Sequence, residues 1–216
     1  AFADCTNDGQ SPFSTGLRGV YQNPTGCTTV GDYAFRNCTS LSDVSLAATV
    51  ENFGLRPFMG CDNLYYVDFN AGPYYSCSDA AIIFGLDSNG NMGKVMECLE
   101  CRGNSFGNAK VGPDELSGVT EMAEEAFMDC DGIGQVDLKS SSLSKVPERA
   151  FALTDQLGSV LLPETCTTIG RGAFWDSGLY YIEVPHTVTL VQPEAFADVE
   201  TTDEYQSVSC QNDQYI

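Results

Sequence analysis

The residues with the clearest chemical potential in this sequence are a serine between two glycines and a single histidine. Segment 103–107, Gly-Asn-Ser-Phe-Gly, has the G-x-S-x-G spacing of a turn that presents a nucleophilic serine between a strand and a helix. Residues 97–102 do not read as a hydrophobic strand, and no amphipathic helix is predicted after the segment. The base would have to be His186, 81 residues away from Ser105. A glycine-rich loop is therefore the favoured interpretation, and a secreted serine hydrolase using Ser105 is the alternative.

The ten cysteines stand beside only one histidine, which is more typical of a disulfide set in an oxidising compartment than of zinc sites. Cys98-Leu-Glu-Cys101 has redox or half-zinc-site spacing, but the sequence around it does not predict a βαβ unit or a second ligand pair. Pairing is open among the candidate disulfide cysteines, which are Cys5, Cys27, Cys77, Cys98, Cys101 and Cys210. A buried free thiol is expected for Cys130, and Cys38 and Cys61 are left undecided.

Two short strings carry oxygen ligands at alternate positions. Asp87-Ser-Asn-Gly-Asn resembles the opening of a calcium loop but lacks the glycine and the acidic residue that such a loop needs further on. The second string is Asp129-Cys-Asp131-Gly. No dedicated metal or cofactor site is predicted; turn formation explains both strings, and weak calcium binding is the alternative.

Thirty acidic residues against ten basic ones give a net charge of −20, which repels nucleic acid and anionic membrane surfaces. No run approaches the ~20 apolar residues of a membrane helix. The chain begins Ala-Phe-Ala, which suggests a processed N-terminus, and Asn37-Cys-Thr is a glycosylation sequon. Together with the cysteines, these features predict a secreted or cell-surface protein with no nucleic-acid partner and no membrane insertion.

The organising feature is a repeat marked by six phenylalanines. They are separated by 23, 69, 24, 23 and 22 residues, and 69 is three times 23. They are Phe35, Phe58, Phe127, Phe151, Phe174 and Phe196. A Leu-x-x-Val-x-Leu segment follows each of the first five. This period predicts a solenoid in which the Val-x-Leu segments form short parallel strands, the Ala-Phe segments form turns or single helical turns, and the phenylalanine rings stack in a ladder.

One unit, running from Leu162 to Phe174, reads Leu-Pro-Glu-Thr-Cys-Thr-Thr-Ile-Gly-Arg-Gly-Ala-Phe. It resembles the leucine-rich repeat named after bacterial surface protein A (BspA), whose unit reads roughly L-x-x-V-x-I-P-x-x-V-T-x-I-G-x-x-A-F-x-x-C. The resemblance covers 17–70 and 119–199 and implies an α/β horseshoe or curved solenoid of about eight repeats of 22–24 residues. It also implies a surface or secreted protein that adheres to other proteins.

The repeats predict a solenoid over 17–199, an N-terminal cap over 1–16 and a C-terminal cap or tail over 200–216. Segment 71–116 departs from the pattern. Because its length keeps the phase of the array, we expect two degenerate repeats with a looped-out section there, and an inserted foreign domain is the alternative.

The outward positions of the predicted strands supply the candidate binding surface. Two repeats place a pair of tyrosines and an acid there: Tyr65, Tyr66 and Asp68 in one, Tyr180, Tyr181 and Glu183 in the other. Exposed tyrosines favour protein binding, although they also suit ordinary strands. The sequence therefore predicts a non-enzymatic repeat protein for adhesion, partner binding or structural assembly, including end-to-end stacking of copies.

Overall fold

The structure is a computed structural model that describes residues 19–22, 26–79, 81–100, 109–199 and 207–210. Within these ranges the chain is a β-solenoid of about seven turns without a helix. None of the described segments could cross a membrane as a long apolar helix.

The strands fall into three groups. The long strands are β1 (Gly19–Gln22), β3 (Leu41–Ser45), β5 (Tyr66–Asp68), β9 (Ala109–Val111), β11 (Ile133–Asp137), β13 (Ser159–Leu161), β15 (Tyr181–Val184) and β17 (Ser207–Cys210). The short strands are β2 (Thr29–Val30), β4 (Asn52–Phe53), β10 (Glu121–Met122), β12 (Lys145–Val146), β14 (Thr168–Ile169) and β16 (Leu190–Val191). The middle strands are β6 (Tyr75–Cys77), β7 (Ile82–Leu86) and β8 (Met92–Cys98).

The long strands form two parallel sheets, β1-β3-β5 (the N-terminal sheet) and β9-β11-β13-β15-β17 (the C-terminal sheet). Their register aligns equivalent repeat positions, as Val44 with Val67 and Val136 with Val160. These valines point into the core and are at most 1% exposed. The alternation of the Val-x-Leu segments thus produces the predicted parallel strands, because one face of each strand must be buried.

The phenylalanines stack in two ladders. Ring centroids are 5.1 Å apart between Phe35 and Phe58. In the second ladder the steps are 5.0 Å from Phe127 to Phe151, 5.3 Å on to Phe174 and 5.2 Å on to Phe196. The predicted ladder is therefore confirmed, with an interruption between Phe58 and Phe127.

Each Ala-Phe segment is a series of tight turns with left-handed backbone two residues before and two residues after the phenylalanine. These positions are Tyr33 and Asn37, Arg56 and Gly60, Glu125 and Asp129, Arg149 and Leu153, Gly172 and Asp176, and Glu194 and Asp198. A non-glycine residue in this region costs roughly 1 kcal/mol. The conformation is maintained because it directs alternate amides toward the next repeat.

Three amides of each turn segment donate to three carbonyls of the following one. In the first pair of repeats the bonds join Tyr33 to Leu55 (3.0 Å), Phe35 to Pro57 (2.7 Å) and Asn37 to Met59 (2.7 Å). The same three bonds recur between the turns that carry Phe127, Phe151, Phe174 and Phe196. Because the direction is uniform, the last turn of a stack is left with unbonded amides and the first turn with unbonded carbonyls.

The middle strands form a partition between two hydrophobic cores, which we call the septum. Strands β6, β7 and β8 pair antiparallel, and β8 then pairs parallel with β10. Side chains of β7 alternate between the cores: Ile83 packs with the core of residues 30–69, whereas Ile82 and Phe84 pack with the core of residues 111–195. The septum thus separates a first block of repeats (26–69) from a second block (109–199).

Two expectations require correction. The α/β label is wrong for the described residues, because consecutive turns take the place that a helical turn would occupy. The structure also has about seven solenoid turns, and antiparallel strands stand where two degenerate parallel repeats were expected. The reason is that β7 is buried on both faces, which a strand lining one side of a solenoid is not.

Candidate binding surfaces

The first tyrosine pair lies at the edge of the N-terminal sheet. Tyr65 is 55% exposed and Tyr66 is 40% exposed. The hydroxyl of Tyr65 hydrogen-bonds to Asp43, which raises the pKa of the phenol. Tyr66 stands opposite Asp43 in the register, and Asp68 is half-buried beside it. Two phenol rings with adjacent carboxylates therefore lie at the start of one edge strand.

The second pair lies at the start of β15 in the C-terminal sheet, where Tyr180 directly precedes the strand and Tyr181 is its first residue. Tyr180 is 56% exposed, and Tyr181 is half-buried opposite Ser159. The ring of Tyr180 lies over Gly158, so closely that a β-carbon there would come within 2.5 Å of the ring. Glu183 Oε2 forms a 2.9 Å ion pair with the ammonium group of Lys139, which follows a strand two places away in the sheet. This pair is thus positioned by a glycine and flanked by a salt bridge.

The two pairs belong to separate sheets, and the structure does not bring them together as one surface. They occupy equivalent repeat positions on either side of the septum. A partner that used both would have to span the septum, so each pair is treated as its own candidate surface.

A buried charged cluster, which no sequence motif predicts, connects the two blocks; we call it the junction. It consists of Arg56, Glu97 and Glu100, with side chains 2%, 2% and 9% exposed. The Arg56 Nη2 atom donates to Glu100 Oε1 at 2.5 Å and to the Met128 carbonyl at 2.8 Å. Arg56 therefore binds both the septum and the first turn of the second block.

The two glutamates replace the missing acceptors at the end of the first block. Glu100 Oε2 accepts the amide of Gly60 at 2.8 Å, and the Glu97 carboxylate accepts the amide of Phe58. On the opposite side, the Cys98 amide donates to the Ala126 carbonyl at 2.7 Å. Residues 97–100 thus bond to both stacks of turns in place of one repeat.

Burial has a strong effect on the junction carboxyls. It raises the pKa of Glu97 to about 8 and that of Glu100 to about 7, although the Arg56 guanidinium opposes the shift in both. Arg56 Nη1 and Glu97 Oε2 are buried without a hydrogen-bond partner among the described residues. The arrangement contains no nucleophile with a base beside it, and we assign it a structural role.

The cysteines at the third position after each phenylalanine form part of the core. Cys61 Sγ donates to the Phe35 carbonyl at 3.0 Å, and Cys130 Sγ donates to the Cys98 carbonyl at 3.1 Å. Cys130 is a free buried thiol, as expected. Thr154 fills the equivalent position and donates to the Phe127 carbonyl at 3.2 Å.

Among the six candidate disulfide cysteines, Cys27, Cys77 and Cys98 are free thiols in the structure. Cys5 and Cys101 lie outside the described residues, as does the side chain of Cys210. Disulfides remain a prediction, and each would have to include Cys5, Cys101 or Cys210. Burial raises the pKa of the Cys77 thiol to about 11, which disfavours its reactive thiolate.

The remaining candidates lie in turns or outside the described residues. Asn37 is half-buried in a turn, and glycosylation there stays a prediction. Asp87 accepts the amides of Asn89 and Asn91 at 2.8 and 2.9 Å, which lowers its pKa and matches a turn-forming role. No group of three or more potential metal ligands occurs in the described part of the chain. Ser105 lies outside that part.

Comparison with known proteins identifies the repeat type. The family model for the BspA type leucine rich repeat region matches residues 17–80 and 105–202 in six copies. No curated protein sequence matches the chain. Members of the family are typically surface proteins involved in protein interactions.

Three solved structures are similar in fold. A leucine rich cell surface protein from Faecalibacterium prausnitzii is 21% identical with a TM-score of 0.53, over 83% of this chain and 57% of that one. A leucine-rich repeat protein from Eubacterium ventriosum is 15% identical with a TM-score of 0.59, over 82% and 51%. The pneumococcal vaccine antigen PcpA is 13% identical with a TM-score of 0.53, over 85% and 57%.

The chain spans between half and three fifths of the length of these three proteins. The family model covers most of this chain, and the parallel strands and stacked phenylalanines are the structural counterpart of its motif. This chain belongs to the BspA-type leucine-rich repeat family.

Proposed function

We propose that this chain is a non-enzymatic, secreted or cell-surface protein that binds a protein partner through the tyrosines on its long strands. The observation that carries the proposal is the exposure of Tyr65, Tyr66 and Tyr180 at the starts of β5 and β15, strands whose inward residues are buried in the core. Tyrosine offers a large contact area with few rotors to immobilise, and such residues are enriched in binding surfaces.

Charge defines the class of partner. The chain carries a net charge of −20, and each tyrosine pair has a carboxylate beside it, Asp68 in one case and Glu183 in the other. A basic protein surface would associate faster and be selected over an acidic one. The extracellular location is supported by the description of the Faecalibacterium structure as a cell surface protein.

The test compares the two tyrosine pairs on a captured and identified partner. The partner is first crosslinked to the native protein in its source material and identified by mass spectrometry. Binding of the purified partner is then measured for Tyr65→Ser/Tyr66→Ser, for Tyr180→Ser/Tyr181→Ser and for Met92→Ser, an exposed apolar control on β8. We expect at least one tyrosine variant to lose about tenfold or more in affinity and the control to lose less than twofold.

A second variant tests whether the position of the Tyr180 ring matters when both tyrosines are still present. Gly158→Ala retains both tyrosines but pushes the Tyr180 ring away, because the new β-carbon would overlap it. If Tyr180 and Tyr181 form the binding site, Gly158→Ala should weaken binding of the partner and leave the circular dichroism spectrum unchanged. Full binding by both tyrosine variants would contradict the proposal.

Stacking of copies end to end is a second candidate. It is favoured by Leu190 and Val191 of β16, which are 48% and 37% exposed on the last short strand of the described residues. An exposed apolar strand at the end of a solenoid invites pairing. Sedimentation velocity over a hundredfold concentration range should show assembly that Leu190→Lys abolishes; a monomer throughout would exclude it.

A further inference from the structure

A groove separates the short strands of the two blocks. Among the described residues, β4 pairs with β2 alone, and the short strands resume at β10, which pairs with β8 of the septum. Two adjoining cavities of about 740 and 600 Å³ fill the interval and share Phe53, Lys94, Met96 and Glu121 in their linings. Cavities of several hundred Å³ are the usual size of ligand pockets.

The groove has an apolar wall. Phe53 and Met96 are half-buried, and Tyr74 is 42% exposed at the rim. The Phe53 ring is fixed by Tyr75, whose centroid is 5.3 Å away. Apolar side chains of a ligand would therefore meet a preformed aromatic and thioether surface.

The Tyr75 side chain covers the edge of β4, so a ligand cannot add a strand there without displacing it. The Tyr75 hydroxyl donates to the Glu51 carbonyl at 3.1 Å, the position that an amide of the next repeat occupies elsewhere. An added strand would have to displace this phenol. A ligand in the groove therefore binds through side chains rather than by strand addition.

Charge selects the ligand. Carboxylates outnumber ammonium groups along the groove: Asp32, Glu51, Asp87, Glu121 and Glu124 face Lys94 and Lys145. Glu51, Glu121 and Glu124 are exposed. The pair between Lys94 and Glu121 is 4.0 Å long with both side chains in solvent, so it neutralises little.

We propose that this groove is a second binding site, which takes an extended peptide segment that alternates basic and apolar side chains. The basic groups pair with Glu51, Glu121 and Glu124, and the apolar groups contact Phe53 and Met96. This site lies on the short-strand side and is separate from the tyrosine surfaces, so either proposal can fail without the other.

The experiment uses two fluorescein-labelled hexapeptides, Lys-Leu-Lys-Leu-Lys-Leu and Lys-Ser-Lys-Ser-Lys-Ser, with the full chain. The groove variant is Glu51→Gln/Glu121→Gln, and the matched control is Asp114→Asn/Glu164→Gln, which removes the same charge from exposed positions outside the groove. We expect the leucine peptide to bind at least fivefold tighter than the serine peptide. The groove variant should weaken it about tenfold, and the control less than twofold.

A photocrosslinking form of the leucine peptide locates the site by mass spectrometry, with labelling expected at Met96 or Phe53. Equal weakening by both variants would show attraction by net charge alone and overturn the proposal. Equal affinity for both peptides would show that the apolar side chains make no contact in the groove and would overturn the proposal. Peptide labelling confined to residues outside the groove would overturn the proposal as well. So would an amine crosslinker that, without peptide, joins Lys94 to this chain's own termini or to a second copy, because the groove would then have a different occupant.

Discussion

The second block and the septum solve the same problem of connecting one turn of the solenoid to the next in different ways. In the second block every turn repeats three amide-to-carbonyl bonds and one ring stack, so each unit both provides and requires the same contacts. At the septum two glutamates, one arginine and one backbone amide make those bonds instead. A periodic array can therefore be interrupted if the interruption supplies acceptors to one neighbour and donors to the other.

The strongest test of this contrast replaces arginine by glycine at equivalent positions. Arg56 and Arg149 both stand two residues before a ladder phenylalanine with left-handed backbone, but Arg56 is buried and Arg149 is exposed. Arg56→Gly should lower the free energy of unfolding by about 3–5 kcal/mol, because it leaves two buried carboxyls without their cation. Arg149→Gly should raise it by roughly 0.5–1 kcal/mol, because glycine is unstrained there. Urea denaturation at pH 8 measures both, and equal effects would show that the junction is not distinctive.

A second test concerns protonation of the junction. Glu97 and Glu100 have pKa values near 8 and 7 in the folded chain, above the ordinary glutamate value, so the folded state binds more protons than the unfolded state between about pH 4.5 and 8. Their contribution to stability is therefore fully present below about pH 4.5 and is lost as pH rises to about 8.

Glu97→Gln retains an acceptor for the Phe58 amide and removes the charge. We expect the variant to be more stable than the parent chain by about 2 kcal/mol at pH 9 and nearly equal to it at pH 5. Thermal denaturation across this range provides the difference, with Glu164→Gln as an exposed control. A constant difference at every pH would contradict the assignment.

A third test concerns a single glycine within the regular stack. Gly172 has a φ of 55°, and a β-carbon there would meet its neighbours at an ordinary 3.6 Å, so Gly172→Ala introduces backbone strain without overlap. We expect a loss of about 1 kcal/mol. A larger loss would indicate that the turns tolerate left-handed side chains less well than the arginine at the equivalent position in the preceding repeat suggests.

The regular part of the fold could be predicted because its period is written in the residues. The spacing of the phenylalanines fixed the ladder, and the Val-x-Leu segments fixed the parallel strands. The septum was missed because its length preserves the phase of the array. A local signal was present, since 80–84 reads Ala-Ala-Ile-Ile-Phe, a continuous apolar run typical of a strand buried on both faces.

The candidate sites were predictable only in part. Strand alternation predicts the outward position of Tyr66, because Tyr66 is next to the buried Val67. Tyr65 and Tyr180 come directly before their strands, so their exposure does not follow from alternation. The junction has no such signal, because Arg56 contacts a carboxylate 44 positions away and a carbonyl 72 positions away. The groove likewise depends on where the septum separates the short strands, which no local pattern encodes.

The uniform direction of the turn-to-turn bonds has a consequence for how such a molecule can grow. Every unit added to the second block presents the same donor and acceptor faces as the unit before it, so duplication of a gene segment could lengthen that block without disturbing the septum. Copy number could thus vary between relatives while the septum, and any ligand specificity located beside it, is inherited intact.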